Sequence, residues 1–269
     1  MAEDSVRSRR WALRSDPRSA VRTAVLWEAL DTLVVKHTES VGRAALDVVD
    51  LGGGTGGLAV PLAQRGHRVQ VVDPSPDALA ALQRRADEAG LADRIRAEQG
   101  DASTVADLLG TGVADLVLCH GVLEYVDEPA AAARGAMSVL RPGGLASLLV
   151  AQRLGGVLAR ALAGRFAEAR RMLDDPDGRG SDEDPLPRRF DAATVLDLVG
   201  ATASGGVEVR LVQGVRLFTD LLPGILVDGD PDAAEALLAL ERAAGDHPGH
   251  RELVALASHL HVVVQTAAS

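Results

Sequence analysis

Residues 46–57 read Leu-Asp-Val-Val-Asp-Leu-Gly-Gly-Gly-Thr-Gly-Gly, an apolar run that breaks into five glycines within six positions. So short a run, stopped so abruptly, predicts a buried strand. Glycine lets a backbone come close to a ligand and adopt positive φ, so the stretch predicts a nucleoside-binding turn at a strand's carboxyl end. A flexible linker has similar composition. The pattern of the flanking segments decides between them.

Before this stretch, Val21, Val25, Leu26, Leu30 and Leu33 recur at helical spacing, which predicts a helix over 19–35 with Arg22 on it and Trp27 as its anchor. After it, 58–65 predicts a helix closed by Gly66, and Arg68–Asp73 a second strand ending in an acid. Asp73 lies 21 positions beyond Gly52, the separation at which a carboxylate meets ribose hydroxyls; a helix cap before Pro74 is the plain alternative. A helix over 75–89 leads to a third strand over 95–98, with Gly100, Asp101 and Ala102 at its end. A fourth strand over 115–119 runs into His120, a helix comes next over 129–140, then a turn at 141–144 and a fifth strand over 145–150. Strands alternating with helices predict a parallel sheet, with ligands beyond its carboxyl edge.

That rhythm stops at about 152–190. Residues 154–173 predict a helix, and 174–187 an acidic loop rich in Pro and Gly, so this is an insertion at the substrate side. A helix from Asp191, a strand at 207–212, a helix over 231–244 and a strand at 260–266 complete the domain, expected over 19–269 behind a basic segment at 1–18.

Charge matters for the choice of partner. Lys plus Arg number 28 against 38 acids, a formal charge of -10, which excludes indiscriminate binding to nucleic acid or anionic membranes. The exception is local: six arginines lie between Ser5 and Arg22. Cys119 is the only cysteine, and His247, His250, His259 and His261 lack metal-ligand spacing, so no disulfide and no metal are expected. With no apolar run long enough to span a bilayer, a cytoplasmic protein is expected, with no membrane partner.

Three cofactors suit a glycine turn with acids at the next strand tips. A dinucleotide needs a pyrophosphate nest, and a P-loop needs a Gly-Lys-Ser or Gly-Lys-Thr ending that Thr55-Gly56-Gly57 does not supply. S-adenosylmethionine needs a tight turn for its methionyl part, a carboxylate for the ribose and a polar group for the adenine. Gly52–Gly56, Asp73 and Asp101 offer these in chain order.

On Asp50 to Gly56, Asp73, Gly100-Asp101 and Leu140 to Gly144, the sequence resembles the class I S-adenosylmethionine-dependent methyltransferases. The resemblance implies an α/β, Rossmann-like fold with a seven-stranded, mostly parallel sheet, helices on both faces and an antiparallel final hairpin. On 22–31, 120–125, 138–144, 214–218 and 235–238 it resembles more narrowly the bacterial tRNA 5-carboxymethoxyuridine methyltransferases, which esterify the carboxylate of a modified wobble uridine. This implies cofactor contacts at Arg22, Gly52, Gly53, Asp73, Asp101 with Ala102, and His120, with Arg22 on the cofactor carboxylate, and Asp50, Gly54, Gly56 and Pro74 are expected to complete the cofactor site.

A carboxylate acceptor is ionised at neutral pH and requires no general base; for a hydroxyl acceptor His120 is the candidate base. Arg22, Arg153, Arg188 and Arg189 are candidates to hold an acceptor carboxylate, and Tyr125 to stack on a planar group. Residues 174–184 carry six acids and one arginine, which repel an RNA backbone. A small-molecule carboxylate or hydroxyl acceptor is therefore kept beside tRNA, and a non-catalytic cofactor-binding protein beside both.

Overall fold

The computed structural model describes residues 17–202 and 205–268; the basic stretch before residue 17 lies outside the described residues. Seven strands form one sheet in the order β3-β2-β1-β4-β5-β7-β6. They are β1 Asp47–Leu51, β2 Arg68–Asp73, β3 Ile95–Gln99, β4 Ala114–His120, β5 Leu140–Ala151, β6 Val207–Val215 and β7 His259–Thr266. Val48, Val49 and Leu51 are all buried, as expected of a central strand covered on both faces. The first five strands pair in parallel, with Asp50 opposite Val71 on one side and Leu118 on the other.

β7 runs against its neighbour. Gly143 donates its N–H to Ala267 O, and Gln152, farther along, donates to Ser258 O, so partners on β7 descend as β5 ascends. The antiparallel final hairpin expected from the resemblance is therefore present.

The helices are α1 Pro17–Val41, α2 Ala59–Gln64, α3 Pro76–Glu88, α4 Val105–Leu109, α5 Pro129–Ser138, α6 Arg153–Leu162, α7 Phe166–Asp174, α8 Ala192–Gly200 and α9 Pro231–Gly245. Ser75 caps α3 by accepting the Ala78 N–H, and Asp191 caps α8 through the Thr194 N–H.

Two expectations need correction. Residues 141–144 are not a free turn but the irregular start of β5: as β4 advances from Ala114 to Leu116, its partner advances from Leu140 to Leu145, so the extra residues bulge within the strand. The helix expected over 154–173 is broken into α6 and α7. Gly164 takes φ 74°, and Arg165 donates its N–H back to Arg160 O, which closes α6 as a left-handed C-terminal cap.

The chain divides into two compact units. The first comprises the described residues up to His37, then Ala151–Pro185 and Val212–His261. Here Val21 and Val25 of α1 pack with Leu237 and Leu238 of α9, and Arg242 grips Glu28 with both ends of its guanidinium, at 2.7 and 2.6 Å. The acidic stretch 174–184 belongs to this unit, and four of its six acids, Asp175, Asp177, Asp182 and Asp184, lie against arginines. Arg160 holds Asp184 at 2.9 Å, Arg171 holds Asp182, and Asp175 accepts the N–H groups of Asp177 and Arg179.

The second unit comprises Thr38–Val150, Leu186–Leu211 and Val262 onward. At the amino edge of its strands, Arg43 bridges Asp47 (2.9 Å) and Asp115 (2.6 Å), Arg68 reaches Asp47 at 2.6 Å, and Arg141 reaches Asp115 at 2.8 Å. Burial opposes ionisation of Asp47, yet hydrogen bonds from Arg68 and Arg43 outweigh it and hold its carboxyl down at about 2.

Candidate functional site

The glycine turn leaves the carboxyl end of β1, within the second unit. Gly52 has φ 65°, and a Cβ on it would lie 2.5 Å from Val122 Cγ2, so the turn is pressed against the segment after β4. A Cβ on Gly53 would lie 2.5 Å from the Asp50 carboxylate. Backbone fills space here that side chains would otherwise take.

Two carboxylates meet at this turn. Asp73, 7% exposed at the tip of β2, accepts the Gly54 N–H on Oδ2 and the Ser75 N–H on Oδ1, both at 2.9 Å. One side chain thus ties the turn to the start of α3. Each oxygen keeps a lone pair for a hydroxyl donor. Asp50, 2% exposed, has an Oδ2 that accepts no hydrogen bond among the described residues. Burial, then the charge of Asp73, pushes the Asp50 carboxyl up to about 7. Burial and the charges of Glu124 and Asp50 likewise push the Cys119 thiol up to about 12, leaving it an inert core group.

The Asp50 shift has a definite sign. Its ordinary value is 3.8, so between about 4 and 7 the folded protein binds a proton that the unfolded chain has released. The stability of the unliganded protein therefore falls as pH rises through that window. Asp50→Asn should flatten this part of a urea-denaturation profile measured from pH 4 to 8, and an unchanged slope would refute the assignment.

The other expected residues divide by unit. Asp101 is exposed in the second unit, with Oδ1 accepting the N–H and hydroxyl of Ser103 at 2.8 and 2.6 Å; Ala102 beside it is buried. Together with Val126 and Glu128, Asp101 borders a cleft of about 310 Å³. Pro74 is exposed and its carbonyl accepts from Gln99. His120 Nε2 lies 2.8 Å from Ser147 Oγ on β5, and Tyr125 is 60% exposed. Arg188 donates to Val126 O, and Arg189 is buried. In the first unit, Arg22 pairs with Asp220 at 2.7 Å. Arg153 donates to the carbonyls of Asp175 (2.9 Å) and Pro176 (2.6 Å), so its guanidinium is engaged in holding the acidic loop.

Sequence reasoning misses two groups. Val122 reads as an ordinary member of an apolar segment, and its packing on Gly52 is a tertiary contact with no local signal. Glu241, on α9, reads as one acid among several on an amphipathic helix. It is 2% exposed and accepts the N–H groups of Leu217, Phe218 and Thr219 and the Thr219 hydroxyl.

Among the described residues no group of three or more His, Cys, Asp or Glu side chains could hold a metal ion, and no helix is long and apolar enough to cross a membrane.

Sheet order, glycine turn and paired acids define the class. The chain belongs to the class I S-adenosylmethionine-dependent methyltransferases, and S-adenosylmethionine is its cofactor. Residues 48–144 match the family model described as a methyltransferase domain. More particularly, the chain shares its family with the tRNA 5-carboxymethoxyuridine methyltransferase of Escherichia coli K12: the two are 33% identical over 224 residues, 83% of this chain and 81% of that one. A ubiquinone biosynthesis O-methyltransferase of Methylobacterium sp. (strain 4-46) is 37% identical over 103 residues, 38% of this chain and 39% of that one. Among solved structures, a SAM-dependent methyltransferase of Methanosarcina mazei covers 84% of this chain and 95% of its own at a TM-score of 0.55 and 15% identity, a likeness of fold.

Proposed function

We propose that this methyltransferase esterifies the carboxylate of 5-carboxymethoxyuridine in tRNA. The observation that carries the reading is the reach of the likeness to the E. coli enzyme. It extends well beyond 48–144, where the general methyltransferase match stops, into parts of the chain that the cofactor motifs do not include.

The site chemistry suits the cofactor. Asp50 and Asp73 make the turn acidic, which favours a ligand with cationic sulfonium and ammonium centres and disfavours a pyrophosphate. The buried Asp50 Oδ2 that accepts no hydrogen bond is the kind of group a ligand cation satisfies. In the proposed assignment Asp73 accepts the ribose hydroxyls, and Gly52, Gly53, Gly54 and Gly56 line the methionyl part. Asp101, Ala102 and Pro74 border the adenine, and His120 closes the rim. The bound cofactor supplies a methyl group on an electrophilic sulfonium. The protein's own task is to align the acceptor and exclude water, since an ionised carboxylate needs no base.

The acidic insertion opposes RNA less than its composition implies. Arg160, Arg171 and Arg179 lie against its acids, which reduces the field that a phosphate backbone would meet. A small-molecule acceptor is the second reading, favoured by the overall charge of -10.

Mass spectrometry of tRNA nucleosides from cells with and without the gene separates the two. The methyl ester of the wobble uridine is expected to disappear with the gene. An unchanged ester level would leave the small-molecule reading in its place.

A further inference from the structure

Asp101 could move in its backbone or in its side chain, and the second unit restricts each by a different residue. The backbone is held by close packing. α5 lies so near the turn after β3 that a Cβ on Gly135 would stand 2.0 Å from Ala102 O, a space that only glycine leaves for another backbone. Gly100 donates its N–H to Asp73 O at 3.3 Å, and Thr104 returns its N–H to Asp101 O at 3.2 Å. Ala102, within this turn, is buried.

Packing does not hold the side chain, because Asp101 is exposed. A hydroxyl ties it instead: Oδ1 accepts the Ser103 O–H at 2.6 Å as well as the Ser103 N–H at 2.8 Å. Oδ2 accepts no hydrogen bond among the described residues. With the N–H bond alone, either oxygen could take it and the plane of the carboxylate would be free to turn. Asp127 and Glu128 border the same cleft as Asp101 and Ser103, and like charges around a cleft favour turning a carboxylate out to water. The Ser103 hydroxyl opposes that, since a hydrogen bond to an ionised acceptor is stronger than one between neutral groups.

We propose that Ser103 is a positioning residue that sets how strongly the site selects a purine bearing a 6-amino group. It acts through Asp101. With Oδ1 occupied by Ser103, Oδ2 is the acceptor left for an amino hydrogen, and an ionised carboxylate has no proton with which to meet a 6-keto oxygen. The inference rests on the assignment of Asp101 to the adenine made above, and it gives Ser103 a part in selectivity with no contact of its own to the base.

Calorimetry on the full-length protein tests this with S-adenosylhomocysteine and its analogue carrying hydrogen in place of the adenine 6-amino group. The readout is the ratio of the two dissociation constants, which a change in global stability leaves alone. Wild type is expected to favour the amino compound by about tenfold and Ser103→Ala by about threefold or less, while Ser103→Thr, which keeps the hydroxyl, stays close to wild type. Equal weakening toward both ligands, with the ratio unchanged, would make Ser103 a structural residue only and overturn the proposal. So would wild-type binding of both ligands by Ser103→Ala. Asp101→Ala separates these failures from that of the assignment beneath them. A wild-type ratio near one, or a ratio unchanged in Asp101→Ala, would remove Asp101 from the adenine and the proposal with it. A ratio that falls in Asp101→Ala but not in Ser103→Ala would overturn the role of Ser103 alone.

Discussion

Asp73→Asn is expected to lower affinity for S-adenosylmethionine by about two orders of magnitude, on the role proposed for Asp73 at the ribose. Hydrogen bonds to a charged group contribute about 1.5–3 kcal/mol each, and an amide keeps one neutral acceptor where the carboxylate has two charged ones. A combined loss of about 3 kcal/mol corresponds to roughly a hundredfold in Kd. The substitution has a second effect, because Asp73 also receives the Gly54 and Ser75 N–H groups. One of these would face an amide NH₂ instead, at a cost to folding of about 1 kcal/mol. Calorimetry and urea denaturation on the same preparation separate the two effects. Affinity within a few-fold of wild type would remove Asp73 from the ribose site.

Glu241→Ala should produce the largest loss of stability. It leaves three N–H groups and a hydroxyl without their acceptor in a region where Glu241 is 2% exposed. At about 1–3 kcal/mol for each orphaned group, and allowing for water entering the space, the total is about 4 kcal/mol. That is a large fraction of the roughly 5–15 kcal/mol that holds a typical domain together. The urea midpoint should fall sharply and Glu241→Gln should restore part of it; a midpoint unchanged in Glu241→Ala would show that Glu241 is not holding the loop.

Legibility tracks the range of the interactions. β2 is readable to the residue because its ends are marked locally, by Gly66 before it and by Asp73 and Pro74 after it. The cofactor motifs are readable for the same reason: glycine runs and terminal acids announce themselves within a few positions. The start of β5 is not, because Arg-Pro-Gly-Gly has turn composition, and only pairing with β4 shows that those residues bulge inside a strand. α6 and α7 merge in sequence because a lone glycine in an apolar pattern signals a weak helix as readily as a break. Arg153 looks available from sequence, since nothing local announces that Asp175 and Pro176 turn their carbonyls toward it. Leu217 to Thr219 and the Glu241 carboxylate that holds them lie far apart in the chain, and their relation exists only in three dimensions.

The ion-pair network of Arg43, Asp47, Arg68, Asp115 and Arg141 ties β1, β2, β4 and β5 together at the edge opposite the glycine turn. Its consequence concerns how such a chain can diverge. Because these strands are fastened at their amino ends, the segments leaving their carboxyl ends can be exchanged for those of another acceptor specificity without unfastening the sheet. Loop grafting at 121–128 should therefore be tolerated far better than removal of Asp115, whose carboxylate receives two arginines and the Asp47 N–H.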